Sequence, residues 1–316
     1  MNRPTCSQRG SLARLFFGPG GVRTGWRLCI FLTLFVGLLK LSKLLIHVLL
    51  PRADRHLQFV VGGVATFLIL LLATWILGRM EGRRIGDFGL PWRDAFRVRF
   101  WQGALLGCAF ITCLLIMLRL TRTFYFGAIA LHGAEVFKWA VAYALVFLLV
   151  ALVEEFGTRG YVLFTLSKTM GFWPAAVLLS ALFAGAHAGN PGENWIGLMN
   201  LGFFGLITSM FVRLTGNLWM SIGFHTACDW CETFSYGVAN SGGVYPGQLL
   251  DSKSCGPSWL SGGSAGPEGS VIYTGLMVAS LIWCGLAACR QRQEAQLKFA
   301  KDLIGNLQGP EKANNR

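Results

Sequence analysis

Seven residues have the types and spacing to do chemistry: Glu154, Glu155, Arg159, Phe183, His187, His225 and Asp229. Glu154 and Glu155 are adjacent acids inside an apolar run from Trp139 to Leu166, and Arg159 follows them. An ionisable group in hydrocarbon is costly and by default marks a functional site with a partner nearby. On a helix, Glu155 and Arg159 stand at i and i+4 and share a face. That pairing neutralises one acid and leaves Glu154 free. A buried salt bridge that only fixes helix packing would show the same octapeptide. His187, His225 and Asp229 lie in two further apolar runs, with His225 and Asp229 again at i and i+4, as are Phe183 and His187.

Two acids, two histidines and a further acid gathered at one depth would need water or a metal for solvation. Peptide hydrolysis is open to such a set by two routes. In one, Glu154 is the general base on a water that His187 helps to hold or deprotonate. His225 and Asp229 then stabilise the oxyanion. In the other, His187, His225 and Glu154 are ligands of a metal, with zinc as the candidate ion. The chain has no H-E-x-x-H pair, so a zinc site would rest on tertiary convergence alone.

The elements that must position these residues are membrane helices. The 316 residues are 53% hydrophobic and 14% charged, against about 25% charged for a soluble domain. Mean hydropathy is +0.52. Eight apolar runs of spanning length are expected: about 28–50, 57–77, 100–118, 139–166, 172–188, 196–212, 218–236 and 271–289. The expected fold is therefore an all-α polytopic bundle of about eight transmembrane helices with a polar intramembrane site. The fourth run is too long for one upright span and must tilt or bend, with Gly157 and Gly160 as the bending points. Counted from the inner helix ends at 1.5 Å per residue, the acids and histidines fall roughly 14 to 24 Å deep, in one slab.

The net charge of +13 does not point to nucleic acid, because the basic residues sit between apolar runs. Arginines cluster before residue 28 and between residues 79 and 99, and further cations follow residue 289. By the positive-inside rule both termini are expected in the cytoplasm. No cleavable signal is evident, because the first apolar run is too long and follows several arginines. A multi-pass protein of a bacterial inner (plasma) membrane is expected. Lys40 and Lys43 sit awkwardly inside the first run and either snorkel outward or line the bundle interior. Cys228-x-x-Cys231 is a single pair and a weak metal or redox signal.

The domain reading follows the same pattern. Residues 1–27 form a basic tail, and 28–136 hold three helices with their loops. A catalytic core spans 137–240, a Gly/Ser-rich outer loop 241–270, and the last helix with its tail 271–316.

Together the three motifs resemble those of the CPBP family, the CAAX-protease and bacteriocin-processing (ABI) group of intramembrane endopeptidases. E-E-x-x-x-R matches Glu154, Glu155 and Arg159. F-x-x-x-H matches Phe183 and His187, and H-x-x-x-N/D matches His225 and Asp229. All three occur in family order, within Trp139 to Tyr236. The resemblance implies that Glu154 is the main acid/base and that Glu155 supports it. It further implies that His187 activates water, that His225 and Asp229 hold the oxyanion, and that Arg159 is structural. Many members carry Asn where this chain has Asp229. The partners expected are a membrane-associated peptide or protein substrate and the bilayer, with no nucleic acid. The rival readings are a membrane binding or immunity protein, and a proton- or cation-coupled transporter; no internal repeat supports the latter.

Overall fold

The computed structural model describes residues 15–18 and 21–307. Arg3, Cys6, Arg9 and Arg14 of the basic tail, and residues 308–316, lie outside the described residues. The chain is an all-α polytopic membrane protein. Its helices are α1 (Thr24–Leu49), α2 (Arg55–Glu81), α3 (Val98–Leu120), α4 (Ala134–Arg159) and α5 (Tyr161–Met170). They continue as α6 (Phe172–Ala186), α7 (Trp195–Thr215), α8 (Trp219–Trp230) and α9 (Val271–Leu307).

Among the described residues, six helical segments are long and apolar enough to cross a membrane, with α4 and α5 counted together. The other two expected spans are shorter helices. The expected run 172–188 is α6, with 15 residues. The expected run 218–236 is the 12-residue α8, continued by a π-helical turn at Cys231–Ser235. The reason lies in what covers α8. Trp219, Ile222, Phe224, His225 and Cys228 are all buried by neighbouring helices. A helix wrapped by protein need not match the bilayer in length, and it can carry His and Asp.

The long fourth run does break, at one glycine and not two. Gly157 stays within α4, while Gly160 stands between α4 and α5 with φ −79° and ψ −124°. A Cβ at Gly160 would collide with the Phe156 carbonyl and ring, so the bend admits no larger residue.

The two ends of the bundle are tied differently. At one end Glu81 of α2 accepts three partners. Arg27 Nη1 of α1 lies at 3.0 Å, Lys168 Nζ of α5 at 3.1 Å, and the Tyr161 hydroxyl donates at 2.9 Å. Nearby, the Leu218 amide at the head of α8 donates to the Gly89 carbonyl at 2.8 Å. At the other end, the loops 121–133 and 237–270 knit together. Phe124–Tyr125 pairs antiparallel with Lys253–Ser254, and the Ala130 amide donates to the Leu249 carbonyl at 2.8 Å. The Gly/Ser-rich segment is therefore an ordered cap on that end.

Where α3 crosses α8 the main chains touch. A Cβ at Gly103 would strike the Met220 carbonyl, one at Gly107 the Phe224 carbonyl, and one at Gly223 the Phe100 carbonyl. Gly103-x-x-x-Gly107 is the small-residue spacing that lets membrane helices approach closely. Gly103→Val is expected to force the helices apart. Overpacking of this kind costs about 1–3 kcal/mol. Thermal unfolding in detergent should register it as a lower midpoint, while Gly275→Val, at a position with open space around it, should not.

Candidate active site

Four helices bring the seven residues together. α4 supplies Glu154, Glu155 and Arg159, α6 supplies Phe183 with His187 just past its last turn, and α8 supplies His225 and Asp229. α7 adds the contacts that hold them. The i, i+4 spacing predicted the pair Arg159 Nη1–Glu155 Oε2, which is 3.0 Å long and fully buried. Arg159 Nε also donates to the Gly205 carbonyl at 3.2 Å and the Ser209 hydroxyl at 3.3 Å, both on α7. Its guanidinium lies 5.1 Å from the Phe183 ring centre. One buried cation thus joins α4, α6 and α7.

Both imidazoles are oriented the same way. His187 Nδ1 stands 2.8 Å from the Phe183 carbonyl, which can only accept, so this nitrogen carries the proton. His225 Nδ1 lies 3.1 Å from Glu155 Oε1, the acid already paired with Arg159. In each ring Nε2 is left facing Glu154. The distances to Glu154 Oε2 are 3.9 Å from His187 and 3.8 Å from His225. These are beyond hydrogen-bond length, so the carboxylate oxygen is committed to neither ring. Asp229 Oδ2 stands 3.5 Å from His225 Nε2 on the same helix face. Phe204 of α7 packs edge-on against His225, with ring centres 4.9 Å apart.

Exposure grades across the cluster in a useful order. Glu155 is 0% and Arg159 1% exposed, whereas the Glu154 side chain is 30% exposed. Glu154 also lines one end of a cavity of about 540 Å³ bounded by α1, α2 and α4. The inner acid is sealed against Arg159, and the outer one opens on the cavity.

Depth is shallower than the count from Lys168 gives. Lys168 and Tyr161 meet the same Glu81 carboxylate, because the chain turns at Gly160. Lys168 therefore does not mark depth along α4. Measured from Tyr161, Glu154 lies seven residues in, about 10 Å. His225 lies seven residues from Leu218, also about 10 Å.

Among the described residues no three His, Cys, Asp or Glu side chains stand in metal-ligand geometry. His187, His225 and Glu154 converge, but their facing atoms lie 3.8 to 3.9 Å apart. Around zinc, donors 2.0–2.2 Å from the ion at tetrahedral angles would be roughly 3.3–3.6 Å apart, a little less than these separations. No step below passes through a metal. Cys228 and Cys231 are buried free thiols.

Several contributors escaped the sequence reading. Gly205 and Ser209 on α7 receive Arg159, and their i, i+4 small-residue spacing was the available signal. Glu232, Glu268 and Glu193 are three further acids that none of the motifs includes. Glu232 and Glu268 are buried, and Glu268 accepts from the Ser241 amide and hydroxyl, each at 3.2 Å. Burial raises the Glu193 carboxyl above the ordinary range, and its Oε1 accepts from the Asn194 amide at 2.9 Å.

A family model described as type II CAAX prenyl endopeptidase Rce1-like matches residues 135–231. That segment runs from the start of α4 to the end of α8 and holds all seven residues. At family level the match supports a CAAX-type endopeptidase in a membrane. No curated protein matches the chain.

Proposed function

We propose that this protein is an intramembrane endopeptidase that hydrolyses a peptide bond in a membrane-associated substrate, with Glu154 as the base. The observation that carries this reading is the carboxylate of Glu154 flanked by two imidazole Nε2 atoms at 3.9 and 3.8 Å. Each of those rings is fixed through its other nitrogen, by the Phe183 carbonyl or by Glu155. Preorganised groups of this kind act without reorganising during the reaction.

Glu154 takes a proton from water as the water oxygen attacks the peptide carbonyl. His187 Nε2, with its lone pair toward Glu154, holds that water in line. The carbonyl oxygen gains negative charge and is met by His225, protonated on Nε2, with Asp229 beside it. The C–N bond then breaks, and Glu154 returns the proton to the leaving amine. One water is consumed, a carboxylic acid and an amine are formed, the acid's proton passes on to the amine or to solvent, and Glu154 ends as it began. Glu155 keeps His225 oriented and Arg159 keeps Glu155 charged. The Rce1-like match supports proteins ending in a C-a-a-X sequence as the substrate class.

The test is reconstitution of the full chain in liposomes with a membrane-tethered peptide. The expected product is a single new amino terminus, found by mass spectrometry. Intact peptide after long incubation would overturn the hydrolase reading. Asp229 gives a sharper check. An Asn at this position can donate a hydrogen bond from its amide, so Asp229→Asn is expected to keep activity within about tenfold. Asp229→Ala, which removes the carboxylate beside the protonated Nε2 of His225, is expected to lose roughly 100-fold or more in kcat.

A further inference from the structure

The cavity that ends at Glu154 has a second polar end. Its inner limit is set by Glu154 on α4, Leu39 on α1 and Thr66 on α2, and its far limit by His47 on α1 and Gln58 on α2. Lys43 lines the wall between them. Lys43 and His47 stand at i and i+4 of α1 and so share one face. Among the described residues, Glu154 is the one acid that lines this space. Both side chains are exposed, and a lysine inside an apolar span is costly enough to mark a ligand or a pathway. Lys40, one turn earlier, is exposed too but does not line the cavity. The cavity is thus electrically asymmetric, with the Glu154 carboxylate at one end and the Lys43 ammonium toward the other.

We propose that Lys43, with His47 beyond it, is an anion subsite that holds the free C-terminal carboxylate of the peptide cleaved at Glu154. This rests on the hydrolase reading above. The dimensions fit a short tail. Lys43 lies four residues and His47 eight residues along α1 from Leu39, about 6 and 12 Å. An extended chain spans about 3.3–3.6 Å per residue. The carboxylate therefore sits roughly two to four residues beyond the scissile bond. A charge-assisted hydrogen bond from the Lys43 ammonium would hold it. The cavity then measures distance from the chain end, and an internal peptide segment would lack the anchoring charge.

The experiment compares two membrane-tethered peptides in phosphatidylcholine liposomes. They are identical except that one ends in a free carboxylate and the other in an amide. The wild-type chain is expected to cleave the acid with a kcat/KM roughly 10- to 100-fold above the amide, the range of one hydrogen bond to a charged group. Lys43→Gln is expected to bring the acid down to the level of the amide, mainly through KM, and to leave the amide unchanged. Lys43→Arg should keep the preference, and so should Lys40→Gln. Equal cleavage of the two peptides by wild type overturns the subsite, and this arm needs no variant to fold. An equal loss on both peptides in Lys43→Gln also overturns it, and would mean that Lys43 anchors α1 to lipid phosphate. Failure of wild type to cleave either peptide overturns the hydrolase reading, and the subsite with it.

Discussion

Glu154→Gln is expected to reduce the cleavage rate by roughly 100- to 10,000-fold, the contribution of a positioned general base. Glutamine keeps the shape of the side chain and removes the capacity to take a proton. The stability of the protein should barely change. Glu154 Oε2 is 3.9 and 3.8 Å from its histidine neighbours, so no short hydrogen bond is lost. The side chain is also 30% exposed, so no buried charge is left without a partner. Substitutions outside a tightly packed network usually stay within about 0.5 kcal/mol. Rate and thermal midpoint should be measured on the same purified sample. A Glu154→Gln protein that cleaves at the wild-type rate would remove Glu154 from the mechanism. One that unfolds would show that the carboxylate belongs to the scaffold.

Arg159 should behave in the opposite way, and it carries the largest expected loss of stability. Arg159→Met leaves Glu155 0% exposed and without the guanidinium that pairs with it. Breaking a buried pair from one side costs about 3–5 kcal/mol. The loss extends to α7, because the Gly205 carbonyl and the Ser209 hydroxyl lose a donor. Thermal unfolding in detergent is expected to show a large fall in midpoint. The double variant Arg159→Met, Glu155→Gln removes both charges and should recover much of that loss, since buried pairs replaced together are often nearly neutral. It should nevertheless remain slow, because His225 Nδ1 has lost the carboxylate that fixes it. A double variant no more stable than Arg159→Met would mean that the contacts to α7, and not the ion pair, hold this region.

The chemistry of the site was legible because ionisable groups are rare in apolar runs and their helical spacing is rigid. Glu155 with Arg159, Phe183 with His187, and His225 with Asp229 all meet at i, i+4 as the pattern required. What the pattern left out concerns residues without charge. The i, i+4 spacing of Gly205 and Ser209 marks a close helix approach, but it does not say that Arg159 is what approaches. The lengths of α6 and α8 were overestimated for a related reason. Hydropathy reports that a segment avoids water, and a helix buried in protein does so as well as one facing lipid. The bend at Gly160 was expected, but its effect on depth was not. Lys168 looked like the inner limit of one long helix, whereas it folds back to the same carboxylate as Tyr161. Lys43 was ambiguous by nature, since a lysine on a membrane helix can reach either way, and its place in the wall of the cavity resolves it.

The meeting of α3 and α8 bears on how the reactive centre keeps its shape. Backbone rests on backbone at Gly103, Gly107 and Gly223, where no side chain stands between the two helices. The two rods therefore shift as one body or stay still. His225 takes its height from α3, which lends none of the seven residues to the pocket. Registry between catalyst and bound chain is thus set by a strut remote from the reaction, and an incoming peptide has to conform to a fixed gauge.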